Sequence, residues 1–299
     1  MKNRFKLSLA GRQAWTGRMF VLPFYIGFVL FFARPLFQSF LLMFQDITIE
    51  VGGYTAEFVG LARLEHIFTV DLNFSTNLVT TTVQVLWQVP VILIASIFIA
   101  LLLNTKFRGR TFVRAVFFLP VIIVTGAVIT IMQADATAAA ALTGDVVAAG
   151  EIQYSEGIVD FLQSLGLPIG ITNRMSMIAN SMYNLLWRTG VQMILLLAGL
   201  QSISPALYEA SAIEGATAWE DFFKITLPMM VPIIAVATVY TIVDSFMDSN
   251  NTVMNQILHN STAFRVEMAA AMAWSFLVVI SFILAAVFLL FARVSKKLD

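Results

Sequence analysis

The sequence predicts an all-α membrane protein with six transmembrane helices and a cytoplasmic helix–turn–helix loop between spans 4 and 5. Three observations lead there. Of 299 residues, 59% are hydrophobic and 12% charged, whereas soluble domains average about 45–50% and about 25%. The mean hydropathy is +0.84. Finally, the apolar residues gather into runs long enough to cross a hydrocarbon core of about 30 Å, which takes about 20 helical residues. In lipid a backbone must satisfy its own hydrogen bonds, so such runs are helices. No series of alternating strands suggests a barrel. This composition excludes a soluble enzyme, a disordered chain and a collagen-like rod.

The elements follow in order. Residues 1–18 form a basic tail containing Lys2, Arg4, Lys6, Arg12 and Arg18. The first span, 19–44, is too long for a signal peptide, and Ala33-Arg34-Pro35 is a poor cleavage site, so it reads as a retained helix. Further spans are expected at 76–104, 112–134, 177–201, 229–248 and 267–292, making 19–292 one membrane domain ahead of a short tail, 293–299. Lys and Arg set the orientation. The N-terminal tail, the loop with Lys106, Arg108, Arg110 and Arg114, Lys224, and Arg293, Lys296 and Lys297 all fall on one side by parity. Only Arg63, Arg174 and Arg265 fall on the other. Both termini are therefore expected in the cytoplasm.

Two longer outer segments, 45–75 and 135–176, separate the spans. The second contains an alanine run at 138–142 and an amphipathic stretch at 158–165 ended by Gly166 and Pro168. Such a segment either covers the helix ends or offers a docking surface to an external partner.

Much chemistry is absent. There is no cysteine, and His66 and His259 fit no metal-ligand spacing. Eighteen basic residues balance eighteen acidic ones, so nothing points to nucleic acid. No glycine is followed by lysine, which leaves no Walker A phosphate loop.

One segment, 202–228, stands out. Ser204 can cap a helix with Pro205 at its first position. Gly215 suits a turn that needs a positive φ. Thr217 and Glu220 are spaced as a capping box, and Pro228 would close the second helix before the fifth span. Trp219, Phe222 and Phe223 supply aromatic surface, while Ala210, Ser211 and Ala212 keep one side small. An interfacial helix would favour basic residues, and this segment is acidic. It reads as a surface for docking another protein.

Glu209-Ala210-Ser211, then Gly215, then Ile225 and Leu227-Pro228, resembles the EAA loop of bacterial ABC importer permeases, with Ser211 in place of an alanine. Val21-Leu22-Pro23 with Ile26-Gly27-Phe28, Arg114 with Phe117-Phe118-Leu119-Pro120, and Ala198-Gly199-Leu200-Gln201 are similar to other parts of the carbohydrate-uptake type. The resemblance covers about residues 15–295. It departs after the fifth span, where Asp248-Ser249-Asn250-Asn251 replaces a usual Gly-Gly-Pro.

The resemblance implies a sugar or oligosaccharide permease of the bacterial cell membrane, working by alternating access and not itself an enzyme. Its partners would be two ATP-binding cassette subunits, a second homologous permease, an extracytoplasmic solute-binding protein and membrane lipid. The partner ATPase would use ATP and Mg, with no cofactor or metal held by this chain. Glu209, Ala210, Ser211, Gly215, Trp219, Leu227 and Pro228 would form the ATPase-coupling surface.

Charges inside spans are costly, so Arg34, Arg188 and Asp244 draw notice. A polar path would be lined by Asn184, Trp187, Arg188, Tyr240 and Asp244, with Trp87, Gln84 and Gln88 as weaker candidates. The alternative is a structural ion pair or snorkelling; Arg188 and Asp244 could pair only if Arg188 reaches outward. A gradient-driven secondary transporter would call for more buried carboxylates than Asp244, and a membrane enzyme for clustered His, Cys or paired carboxylates.

Overall fold

The computed structural model describes residues 9–50, 53–105, 108–124, 169–248 and 251–298, some side chains within its helices excepted. It divides into two compact units, Met1–Val79 with Thr252–Val279, and Thr80–Asn251 with Ile280–Asp299.

In the first unit, α1 (Leu9–Phe28) runs through a π-helical turn (Val29–Ala33) into α2 (Arg34–Leu42). Pro35 explains the turn. A proline inside an α-helix lacks the N–H for its own bond and crowds the carbonyl four residues back. Widening the preceding turn lets the Arg34 N–H reach Val29 O, so the helix continues. The result is one continuous, mostly apolar helical stretch, Trp15–Leu42, with Arg18 and Arg34 as its charged residues.

An antiparallel hairpin follows, β1 (Gln45–Glu50) with β2 (Gly53–Phe58), Ile47 facing Ala56. It departs from the all-helical expectation for a local reason. Ile47, Thr48 and Ile49 favour extended backbone, and glycines lie at the reversal. The short helix α3 (Ala62–Thr69) is tied back to β1 by an Arg63–Asp46 ion pair.

Helix α4 (Leu72–Asn104) begins on Asp71, whose Oδ1 accepts the Phe74 N–H at 3.1 Å. Its Oδ2 accepts from Gln256 Nε2 at 3.0 Å, and Asn77 Nδ2 donates to Gln256 Oε1 at 3.3 Å. That network joins the start of α4 to α11 (Thr252–Thr262). Helix α12 (Val266–Leu298) docks on α2 through Trp274, whose indole donates to Ser39 Oγ at 3.3 Å and meets Phe40 edge-on at 5.0 Å.

The second unit continues α4 and adds α5 (Arg110–Val124), α6 (Ile169–Arg188), α7 (Gly190–Ser202), α8 (Pro205–Ile213) and α9 (Ala218–Asp221). A second π-helical turn (Phe222–Thr226) leads into α10 (Leu227–Phe246). Its core lies where α7 meets α10, with Met193, Leu196, Met230, Ala237, Ile242 and Phe246 buried. Gly199 sets that approach. A Cβ there would stand 2.9 Å from Met230 Sδ and 3.0 Å from Ile233 Cγ1. Small residues at helix contacts serve this purpose in membranes, where apolar burial from water cannot hold helices together.

Four described helices are long and apolar enough to cross a bilayer: Trp15–Leu42, Leu72–Asn104, Ala218–Phe246 and Val266–Lys297. They answer to the first, second, fifth and sixth expected spans. The third is helical to Val124, its remainder lying outside the described residues, as do the stretches at 138–142 and 158–165. The fourth, expected as one helix over 177–201, is divided at Thr189 between α6 and α7. Its first half carries Asn180, Asn184 and Arg188 and is too polar to qualify. Helix α7 qualifies only together with α8, to which it is bent by 60°.

Pro228 also departs from expectation. It does not end a helix, because the π-turn before it absorbs the proline as at Pro35: the Leu227 N–H reaches back five residues to Phe222 O.

Candidate functional site

The exposed segment between α7 and α10 is built from local rules. Ser204 takes the extended N-cap conformation ahead of Pro205, although its hydroxyl makes no capping bond. Helix α8 then closes through both bonds of a Schellman motif: the Gly215 N–H reaches Ala212 O at 3.1 Å, and the Ala216 N–H reaches Ser211 O at 3.0 Å. Gly215 has φ +81°, which a Cβ would disfavour, and nothing lies within 4 Å of the place a Cβ would occupy. Its requirement is conformational, not steric.

The capping box forms in full. Thr217 N–H donates to Glu220 Oε2 at 3.0 Å, and Glu220 N–H donates to Thr217 Oγ1 at 3.4 Å. Lys224 closes on the same carboxylate at 3.0 Å. The Thr217 backbone bond, then the bonds from Lys224 and the Thr217 hydroxyl, lower the Glu220 carboxyl to about 2.

These bonds leave a coherent outer surface. Glu209 and Ala210 are exposed, Ser211 is half-buried, and Leu227 and Pro228 are half-buried against the helix. Ile213 is 88% exposed and Trp219 72%, with the Trp219 ring 4.6 Å from that of Phe223. Large apolar groups standing free beside small ones and carboxylates describe a surface suited to a protein partner.

A second constellation lies in the same unit. Arg188, at the end of α6, forms an ion pair with Asp248 and donates to Gln88 Oε1 on α4 at 3.4 Å. Asp244, four residues before Asp248 in the sequence, interacts electrostatically with Arg188 and with Tyr240. Of the expected path residues, Arg188, Tyr240 and Asp244 therefore come together, but the arginine's direct partner is Asp248. Sequence reading missed Asp248, which lies just past the end of α10, two residues beyond Phe246, where no helical spacing ties it to Asp244. Gln88 contributes directly, while Trp87 is 76% exposed. The side chains of Asn184 and Trp187 lie outside those described, and Arg34 is exposed. Nearby on α7, Gln192 is fully buried with neither amide atom hydrogen-bonded.

No family model matches the chain. Over most of its length, however, it is similar to the permease proteins of ABC transporters, and its long apolar helices are those of a multi-pass membrane protein.

Particular relatives include the probable ABC transporter permease protein YesP of Bacillus subtilis, 28% identical and covering 90% of this chain and 87% of its own. The trehalose/maltose transport system permease protein MalF of Thermococcus litoralis is also 28% identical, with 82% and 78% covered. The arabinooligosaccharides transport system permease protein AraP of Bacillus subtilis is 28% identical, with 76% and 68% covered. Among solved structures, a bacterial ABC transporter that imports the acidic polysaccharide alginate shares the fold, with a TM-score of 0.68 over 94% of this chain and 96% of that one, at 20% identity.

Proposed function

We propose that this chain is the permease subunit of an ATP-driven, binding-protein-dependent importer for a sugar or oligosaccharide. The observation that carries the reading is likeness over three quarters or more of the chain to permeases named for trehalose and maltose and for arabinooligosaccharides, joined to the exposed 202–228 segment. In this reading the segment is cytoplasmic. Glu209, Ala210, Ser211, Gly215 and Trp219 meet a partner ATPase, and Leu227 and Pro228 begin the helix that carries its movement into the membrane. Two such ATPases hydrolyse ATP with Mg, a second permease completes a six-span pair, and an extracytoplasmic binding protein delivers the solute. A solved relative in complex with a pentasaccharide-bound periplasmic protein supports that last partner.

Arg188, Tyr240 and Asp244, with Asp248 and Gln88, line the polar path. Charges and amides offer hydrogen bonds to sugar hydroxyls, and Tyr240 offers an aromatic face. Alternating access follows from ATP-driven closure reaching these helices from the docking segment.

The test is purification of the chain from its native membrane in mild detergent, followed by identification of what accompanies it. A Walker-A-containing ATPase and a second permease are expected. Recovery of the chain alone, with uptake in proteoliposomes that needs an ion gradient and no ATP, would overturn the reading in favour of secondary transport.

A further inference from the structure

The docking helix and the fifth span are joined by one short side-chain relay. Tyr208, on the inner side of α8, places its hydroxyl 2.9 Å from Thr226 Oγ1. The Thr226 hydroxyl donates to the carbonyl of Asp221 at 3.2 Å, which leaves the Tyr208 O–H as the donor to Thr226. Thr226 is buried, 6% exposed, and is the last residue of the π-helical turn Phe222–Thr226. The relay therefore runs from α8 to the C-terminal end of the π-turn and, through Thr226, back to the residue that precedes it.

Position gives the relay its meaning. A π-turn is a widened helical segment, found mostly as single turns and frequently at functional sites. Here it precedes Pro228, whose missing N–H removes one backbone bond at the start of α10, four residues before a second proline, Pro232, within it. A hydrogen bond anchored on that turn converts a displacement of α8 into a change of helix direction at α10. Ser211 Oγ, bonded to Tyr208 O at 3.0 Å, braces the same turn of α8. The first π-turn, Val29–Ala33 before Pro35, is built of Val, Leu, Phe and Ala, whose side chains have no group for such a hydrogen bond.

We propose that Tyr208 and Thr226 are positioning residues for energy coupling: their hydrogen bond transmits movement of the ATPase-docking helix to the π-turn and so to the fifth span. This rests on the reading of 202–228 as the docking segment. Neither residue meets the ATPase in this role, so their loss separates docking from transmission.

The experiment uses the whole transporter purified with its ATPase subunits, comparing hydrogen–deuterium exchange of the nucleotide-free complex with that of the complex trapped by MgATP and vanadate. In the unaltered protein, trapping is expected to change exchange in peptides from both α8 and α10. Thr226→Val and Tyr208→Phe should keep ATPase copurification, vanadate trapping and the α8 change. The α10 change should fall about three- to tenfold, the population effect of one lost hydrogen bond. Thr226→Ser, which keeps the hydroxyl, should restore it. An α10 change of unaltered size in Thr226→Val would overturn the proposal, and so would failure of Thr226→Ser to do better than valine. If no ATPase accompanies the unaltered chain, the docking reading itself falls, and the relay falls with it.

Discussion

At Gly215 a single backbone angle decides whether α8 can close. With φ +81° and open space around it, the residue needs no room but does need a conformation that a β-branched side chain resists. Gly215→Val is expected to cost about 1–2 kcal/mol locally and to lose the ATPase or uncouple its hydrolysis from uptake. Unchanged uptake and assembly would remove Gly215 from the coupling surface. Asp244 poses the complementary question. Arg188 already has Asp248 as its direct partner, so Asp244→Ala leaves an ion pair in place. It should impair solute uptake without reducing recovery of the assembled complex. Normal uptake would return Asp244 to a purely structural role. The pattern of charges in the spans was visible in the sequence, but the choice of partner was not. Asp244 lies within α10 and Asp248 just beyond its end, and only the tertiary structure determines which of them the guanidinium reaches.

Among the elements, the two π-turns show why helix ends are hard to place from sequence. Pro228 read as a terminator, yet there, as at Pro35 inside the first span, the five-residue reach of one N–H lets the helix continue. The capping box at Thr217–Glu220 was legible because both partners are local, three residues apart. The tether from Tyr208 to Thr226 was not, since it depends on how α8 folds back. Gly199 lies between these cases: it belongs to the Ala198–Gln201 run that carries part of the resemblance, but its role follows from Met230 and Ile233 standing about 3 Å from a would-be Cβ. Gly199→Leu should force α7 away from α10 and cost about 1–3 kcal/mol by overpacking. The expected measurement is a lower thermal unfolding temperature in detergent, with Gly199→Ala intermediate. A temperature matching the unaltered protein in both variants would show that the contact yields freely.

For the whole molecule, the distribution of Lys and Arg predicts that both termini face the cytoplasm. The absence of cysteine makes this easy to check. Single cysteines introduced as Lys2→Cys and Lys297→Cys should react with a membrane-impermeant maleimide in inside-out vesicles and not in intact cells. Labelling of either from outside would reverse the topology and put the 202–228 segment out of reach of an ATPase.

Membrane class, most of the crossing segments, the Thr217–Glu220 capping box and the turn at Gly215 could be read from the sequence alone. Each depends on neighbours along the chain: apolar run length, cap spacing and a glycine at a turn. The hairpin at 45–58, the break at Thr189, the Arg188–Asp248 pairing, the Gly199 contact and the Tyr208–Thr226 relay emerged only with the tertiary structure. The physical reason differs between the two groups. Lipid imposes its demand on each segment separately, so hydrophobicity and local hydrogen bonding suffice to predict crossing. Which polar groups then meet depends on helix rotation and axial position, and those are settled by close packing between segments far apart in sequence.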